Sequence, residues 1–188
     1  LGLKKLRRLS QLGNTQLRFD LCNAVGSGYE CRAATYDTFS IGSSAEKYKL
    51  TVSGFASASV VSPGDSLSYH SGSKFSAKDQ DNDVWSSHCA QSFHGAWWYH
   101  SCHYSNLNGG YGRTDYAAGL SWYHWLGYYD PVEYSQMAVR RISTPAQKPE
   151  KTECPPSHPI AKGDACHSRE IRYNFSIEFF TKRVGMET

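Results

Sequence analysis

No stretch of this 188-residue sequence approaches the roughly 18 consecutive apolar residues of a membrane-spanning helix, so membrane insertion is not expected. Nor does it carry much net charge: +3 with histidine neutral, which leaves a general nucleic-acid role without electrostatic support. No GxSxG nucleophile turn and no HExxH metal helix occurs, so the eight histidines, with no metal-ligand spacing, do not argue for catalysis. The expectation is a binding protein, not an enzyme. No signal peptide is visible, and the sequence is read as a mature or incomplete chain. No internal repeat is visible either.

Aromatic residues and cysteines are what the sequence has in quantity. Its 13 tyrosines, 8 phenylalanines and 5 tryptophans suit binding surfaces, whose contacts want a large apolar face with a polar tip. Half-buried sheet positions want the same residues. Six cysteines stand at 22, 31, 89, 102, 154 and 166 as three local pairs, none of them CxxC. With the Asn-X-Ser acceptor at Asn174, this even count reads as an oxidised, secreted, extracellular protein. The competing reading is six reduced thiols and a chance sequon.

Residues 1–12, LGLKKLRRLSQL, pattern as an amphipathic helix with Lys4, Lys5, Arg7 and Arg8 on its polar face, more a solvated face than a polyanion site. From residue 17 the period changes to two. LRFDL, RAATYDTFSI and YKLTVSGF read as strands separated by Gly-rich turns, and YSQMAVRRI at 134–142 reads as another. Cys22 and Cys31 flank the first turn and could close a hairpin. Residues 63–75 read as turn, short strand and loop. Beyond 79 the chain is rich in Gly, Asn, Ser and aromatics with little periodicity, and needs a metal or a disulfide to pin it. Residues 144–159 hold five of the seven prolines and read as a linker, with a Cys166-bearing tail beyond.

The sharpest motif is DQDNDVWSSHCA, residues 79–90. Asp79, Asp81 and Asp83 have the spacing that opens an EF-hand, but Val84 stands where its glycine is required and Ala90 where its glutamate is. An EF-hand is excluded. A different Ca²⁺ loop and a plain Asx-rich turn both remain open, and nothing nearby supports a catalytic carboxylate pair.

The surrounding residues resemble the fibrinogen C-terminal-like domain. The similarity runs through FSAKDQDND, CA, GAWWY, CH, SNLNG and AAGLSWYHW, and from LGL to MAVRRI. GDSLSYHSGSKFS is similar to the matrix and lectin-like members, such as the tenascins, microfibril-associated glycoproteins and ficolins. The resemblance implies an α+β fold, with a central antiparallel sheet, short helices and a loop-rich calcium subdomain. It implies Ca²⁺ held by the side chains of Asp81 and Asp83 and the carbonyls of Trp85 and Ser87, with Asp79 in support. It implies a disulfide between Cys89 and Cys102, and in several members a cis peptide at the bond equivalent to His88–Cys89. It further implies a pocket for acetyl groups at His88, Cys89, Phe93, His103, Tyr116 and Ala117. Phe93 stands where lectins of the family commonly have tyrosine, and each of these residues could instead serve packing. Trp97 and Trp98 are assigned to the core.

The chain departs from the family pattern in three places. Family domains normally begin upstream of LGL with a small disulfide-bearing subdomain, so the expected unit is a domain over 1–143 lacking that part. Residues 144–188 resemble nothing recognised and carry their own pair, Cys154 and Cys166. Cys22 and Cys31 are also outside the usual pattern. Two functions are expected: lectin-like binding of acetylated glycans in innate recognition or matrix adhesion, or protein–protein recognition with calcium purely structural. Oligomerisation would come from segments outside this stretch.

Overall fold

The computed structural model describes residues 2–13 and 15–142, together with the backbone of 177–179. The linker, the Cys154/Cys166 pair and Asn174 lie outside these residues. The backbone is built around a five-stranded antiparallel sheet. Its strands are β1 (Thr15–Val25), β2 (Gly28–Ile41), β3 (Leu50–Ser57), β6 (Tyr134–Arg141) and β7 (Ile177–Phe179), in the order β3-β2-β1-β6-β7. A two-stranded ribbon, β4 (Ser105–Asn106) with β5 (Ser121–Trp122), lies in the loop-rich region between β3 and β6. Helix α1 (Leu3–Ser10) precedes the sheet, and α2 (Cys89–Ser92) and α3 (Tyr123–Leu126) are single turns within the loops. This is the expected α+β architecture.

Alternation of side chains explains the sheet. Thr15, Leu17, Phe19 and Leu21 of β1 are buried on one face, and the residues between them are more open. On β2 the buried positions are Ala33, Ala34 and Tyr36, then Phe39 and Ile41, so after Tyr36 the phase changes at Asp37. The partner strand changes phase at the same level, at Gly54 (φ +73°), where an added Cβ would approach the Asp37 Cβ to 2.9 Å. Glycine is required there because both the left-handed backbone and the close approach exclude a side chain. Cys22 pairs directly with Cys31 across β1 and β2, and the two form a disulfide with Cα atoms 4.1 Å apart.

Helix α1 docks through Leu6 and Ser10, whose hydroxyl accepts the Ile41 amide at 3.0 Å and donates to the Arg7 carbonyl at 2.9 Å. Lys4, Lys5 and Arg8 face solvent, whereas Arg7, expected on the same face, is half-buried with its Nε shielded and unpartnered. The strand expected within 63–75 is instead a 3₁₀ turn, Ser68–His70. Asp65 causes the difference. Its Oδ1 accepts the amides of Leu67 and Ser68 at 3.1 and 3.0 Å, a local turn that competes with extended structure, and also the Tyr36 hydroxyl at 2.8 Å.

Few regular elements hold the region after 57, so side chains satisfy its backbone. His70 is fully buried. Its Nδ1 donates to the Trp98 carbonyl at 2.8 Å, while Nε2 accepts the amides of Tyr104 and Ser105. Asn106, also fully buried, accepts the Tyr99 hydroxyl and donates to the carbonyls of Phe93 and Gly119. Trp122 packs on Phe19 with centroids 5.3 Å apart and donates from Nε1 to the Pro63 and Gly64 carbonyls. It therefore joins the loop region to the sheet. Trp97 and Trp98 are core residues, as expected.

Candidate functional site

The acidic loop is tied down at both ends. Asn82 donates from its amide to Ser76 Oγ at 2.9 Å and from Nδ2 to the Phe75 carbonyl, and Val84 donates to the His100 carbonyl. Within the loop, Asp81 accepts the Asp83 amide at 3.1 Å. Asp83 then accepts two amides, Trp85 on Oδ1 and Cys89 on Oδ2, each at 3.0 Å. These bonds turn the chain so that ligand atoms of Asp81, Asp83 and His88 lie within 4.8 Å of one another. Asp79 is outside this group.

Burial raises the Asp83 carboxyl above its ordinary pKa, and the neighbouring Asp81 raises it further against the two amides that lower it. Crowded carboxylates of this kind are relieved by a cation, and hard oxygens with room for carbonyls suit Ca²⁺. The residues present fit that ion. His88 Nδ1 is buried without a hydrogen-bond partner beside the two carboxylates. Trp85 and Ser87, expected as carbonyl donors, are exposed members of the same turn.

A cavity of about 200 Å³ opens beside this loop, lined by Trp85, Phe93, Cys102, His103, Tyr116 and Ala117 among others. Four expected pocket residues, Phe93, His103, Tyr116 and Ala117, are thus brought together from segments far apart in sequence. The lining does not include His88 and Cys89. His88 stands with the carboxylates, and Cys89 is fully buried in its disulfide to Cys102, Cα atoms 5.3 Å apart. The described chain contains no cis peptide, so the His88–Cys89 bond is trans and differs from the expectation there.

His103 dominates the cavity chemically. Its ring packs edge-on against Phe93, centroids 4.9 Å apart, and against Tyr128 at 5.8 Å. The residue is 5% exposed, and neither ring nitrogen has a hydrogen-bond partner of adequate geometry. Burial pushes its pKa down to about 4 despite the opposing pull of the Ala117 backbone, so the ring is neutral at physiological pH. Cys102 (φ 52°), Ala117 (φ 59°) and His94 (φ 56°, next to Phe93) hold left-handed backbone unusual for non-glycine residues. Such conformations cluster where the surrounding structure over-determines a site.

Sequence reasoning missed Tyr128, which completes the wall and donates its hydroxyl to the His103 carbonyl at 2.7 Å. Its signal, one tyrosine among many after AAGLSWYHW, was indistinguishable from core packing. Trp85 was expected only as a carbonyl donor, yet its ring stacks on Phe93.

Sheet, disulfide-braced loop and cavity together define an α+β domain whose loops build one face. The family model for the fibrinogen beta and gamma chains, C-terminal globular domain, matches residues 1–142, and the chain belongs to this family. Tenascin-R of Gallus gallus is 42% identical over 140 residues, 74% of this chain but 10% of that protein. Ryncolin-4 of Cerberus rynchops is 43% identical over 143 residues, 74% of this chain and 40% of that protein. The chain thus spans a small part of these relatives. Among solved structures, the fibrinogen-like globe domain of human ANGPTL6 superposes with a TM-score of 0.68 at 32% identity, covering 77% of this chain and 64% of that one. Among the described residues no helix is long and apolar enough to cross a membrane.

Proposed function

We propose that the chain is a secreted, calcium-binding recognition domain that takes acetyl groups, above all those of acetylated glycans, into the cavity beside the acidic loop. The observation that carries this reading is His103: a neutral, buried imidazole whose nitrogens make no well-formed hydrogen bond and are drawn only toward the Ala117 backbone, set among the aromatic rings of the cavity. Such a group costs stability unless a ligand supplies its partner. An acetamide fits, because the Phe93 and Ala117 walls suit its methyl while an imidazole N–H donates to its carbonyl oxygen. Asp81 and Asp83, with the carbonyls of Trp85 and Ser87, would hold Ca²⁺. The ion's contribution is to neutralise the carboxylates and fix the loop. Trp85, on that loop, then keeps its ring on Phe93 and closes one wall.

Binding rather than catalysis is also favoured by the Ser66–His124 contact. Ser66 Oγ lies 3.0 Å from His124 Nδ1, but the serine is fully buried and already accepts the His124 amide, so it cannot act as an exposed nucleophile.

Phe93 favours a second reading, protein–protein recognition in the extracellular space with calcium purely structural, since this wall lacks a hydroxyl. Retention on acetylated against non-acetylated beads, in calcium and then in chelator, separates the two. Selective, calcium-dependent retention released by free acetate is the expected result. No retention of a chain shown folded by circular dichroism transfers the assignment to a protein partner.

A further inference from the structure

The cations of the described chain are not spread evenly. Arg18, Arg32 and Arg113 each pair with a carboxylate two residues away, at 2.6, 2.7 and 2.8 Å. The others, Lys78 excepted, collect at one end of the sheet, where β1 begins, β2 ends, β3 begins and β6 ends. Helix α1 brings Lys4, Lys5 and Arg8, all exposed, and the Ser10 hydroxyl fixes its last turn to the Ile41 amide at the end of β2. Strand β6 brings Arg140 and Arg141, exposed and in register with Gln16 and Thr15. Arg141 reaches back toward α1: a Cβ added at Gly13, between α1 and β1, would meet its Nε at 3.1 Å. The turn from β2 to β3 adds exposed Lys47 and Lys49, and exposed Lys74 lies alongside, because the Phe75 amide donates to the Lys47 carbonyl at 3.0 Å.

We infer that this basic end is a docking surface for a sulfated polysaccharide, separate from the acidic loop and its cavity. Among the described residues none of these cations forms an ion pair. The one carboxylate in their midst, Glu46, is already committed: its Oε2 accepts the Ser43 amide and hydroxyl, each at 2.8 Å. Those bonds from Ser43 lower the Glu46 pKa most, and Arg7 and Lys49 add to the effect, which sets both cations near it. Exposed like charges gathered without counter-charges repel one another, and an external polyanion relieves that repulsion. Residues 1–12 alone favoured a solvated face because four charges on one short helix need no partner. Folding adds the lysines of the β2–β3 turn and the arginines of β6, which no local pattern joins to that helix. Lys47 is also held firmly, on left-handed backbone (φ 56°) beside Tyr48 (φ 53°), whose carbonyl accepts the Trp98 Nε1 proton at 2.8 Å. The arrangement selects the occupant. Cations separated along a helix and across a sheet end match anions repeated along a chain, not a single phosphate. Among the described residues no exposed aromatic ring belongs to these segments, so nothing there stacks on a nucleic-acid base.

The test is binding of the full chain to heparin and to de-sulfated heparin at physiological salt, with phosphatidylserine vesicles as a third probe. Heparin is expected to bind, to weaken steeply with added salt, and to be far tighter than its de-sulfated form. The double variant Arg140→Ala, Arg141→Ala should lose about fivefold in affinity for each cation removed. The triple variant Lys4→Ala, Lys5→Ala, Arg8→Ala should show the same loss per cation, and it keeps the test open should the β6 variant lose its circular dichroism spectrum. The control pair Lys78→Ala, Arg113→Ala removes as much charge as the β6 variant and should leave most of the affinity. An equal loss in the control would mean that net charge alone is felt, and overturns the site. So does absence of heparin binding, or heparin binding indifferent to both sets of variants. Binding abolished by chelator would transfer it to the acidic loop and likewise overturn the basic end. Vesicle binding without heparin binding gives this end to a membrane surface and overturns the polysaccharide assignment.

Discussion

Trp85 lies over Phe93, ring centroids 6.2 Å apart and planes within 29° of parallel, so a residue of the acidic loop is also a wall of the cavity. Loop order and cavity shape are therefore linked through one side chain. Chelator should change the tryptophan emission of the native protein without unfolding it. Trp85→Phe should abolish most of that change and keep the thermal midpoint. An undiminished change in Trp85→Phe would place the calcium-sensitive tryptophan elsewhere.

The two aspartates should separate in their effects. Asp81→Ala is expected to lower the thermal midpoint in calcium and to remove the difference made by chelator. Asp83→Ala should do both and also destabilise the calcium-free protein, by about 1–3 kcal/mol, because the Cys89 and Trp85 amides lose their acceptor. Thermal melts with and without calcium check this. Identical melts of Asp81→Ala and parent in both conditions would remove the calcium assignment.

Two buried histidines predict acid sensitivity. Burial pushes His70 down to about 3 and His103 to about 4. For His70, protonating Nε2 would set a proton against the Tyr104 and Ser105 amides it now accepts. In the unfolded chain both groups bind protons below about 6.5, whereas the folded chain resists until far lower. The unfolded state thus holds more protons between these values. Stability is complete above about pH 6.5 and declines as pH falls toward 4. Urea midpoints across that range should show the decline, and His103→Gln should make it shallower while His70 keeps the remainder.

Asp65 ties the 3₁₀ turn to the sheet. Burial opposes its ionisation, but bonds from Ser68, Tyr36 and Leu67 outweigh this and hold its pKa below the ordinary value. Asp65→Ala leaves the Tyr36 hydroxyl and two amides without an acceptor and should cost more than Tyr36→Phe, which leaves the carboxylate two amide donors. Chemical denaturation of the two variants measures the difference. Equal losses would show that the phenol, not the turn, dominates.

Replacing Cys89 and Cys102 together by serine should cost roughly 3 kcal/mol through lost loop constraint. It should also weaken ligand binding, because Cys102 lines the cavity. The same replacement at Cys22 and Cys31 should cost a similar amount but leave ligand binding intact, since that disulfide closes a hairpin with no part in the cavity.

Much of the sheet was legible because its signal is local. Period-two burial in LRFDL and RAATYDTFSI requires only that one strand face meet a core, and the nine-residue separation of Cys22 and Cys31 already matched a hairpin. The acidic loop was legible for the same reason: its carboxylates and the amides they accept lie within a few residues of one another. The cavity was legible only through family resemblance, since Phe93, His103 and Ala117 meet by folding. What no local pattern could reveal was which polar side chains would replace regular structure after residue 57. His70 bonds to Trp98, Trp122 to Pro63 and Ser66 to His124, pairs separated by 28, 59 and 58 residues. By itself the sequence determined the strands, the hairpin and the acidic turn, where neighbours along the chain are neighbours in space. The tertiary structure decided the buried imidazole of His103 and the cavity wall. A buried donor or acceptor can take any partner the fold brings within 3 Å, and that choice is made by topology, not by spacing.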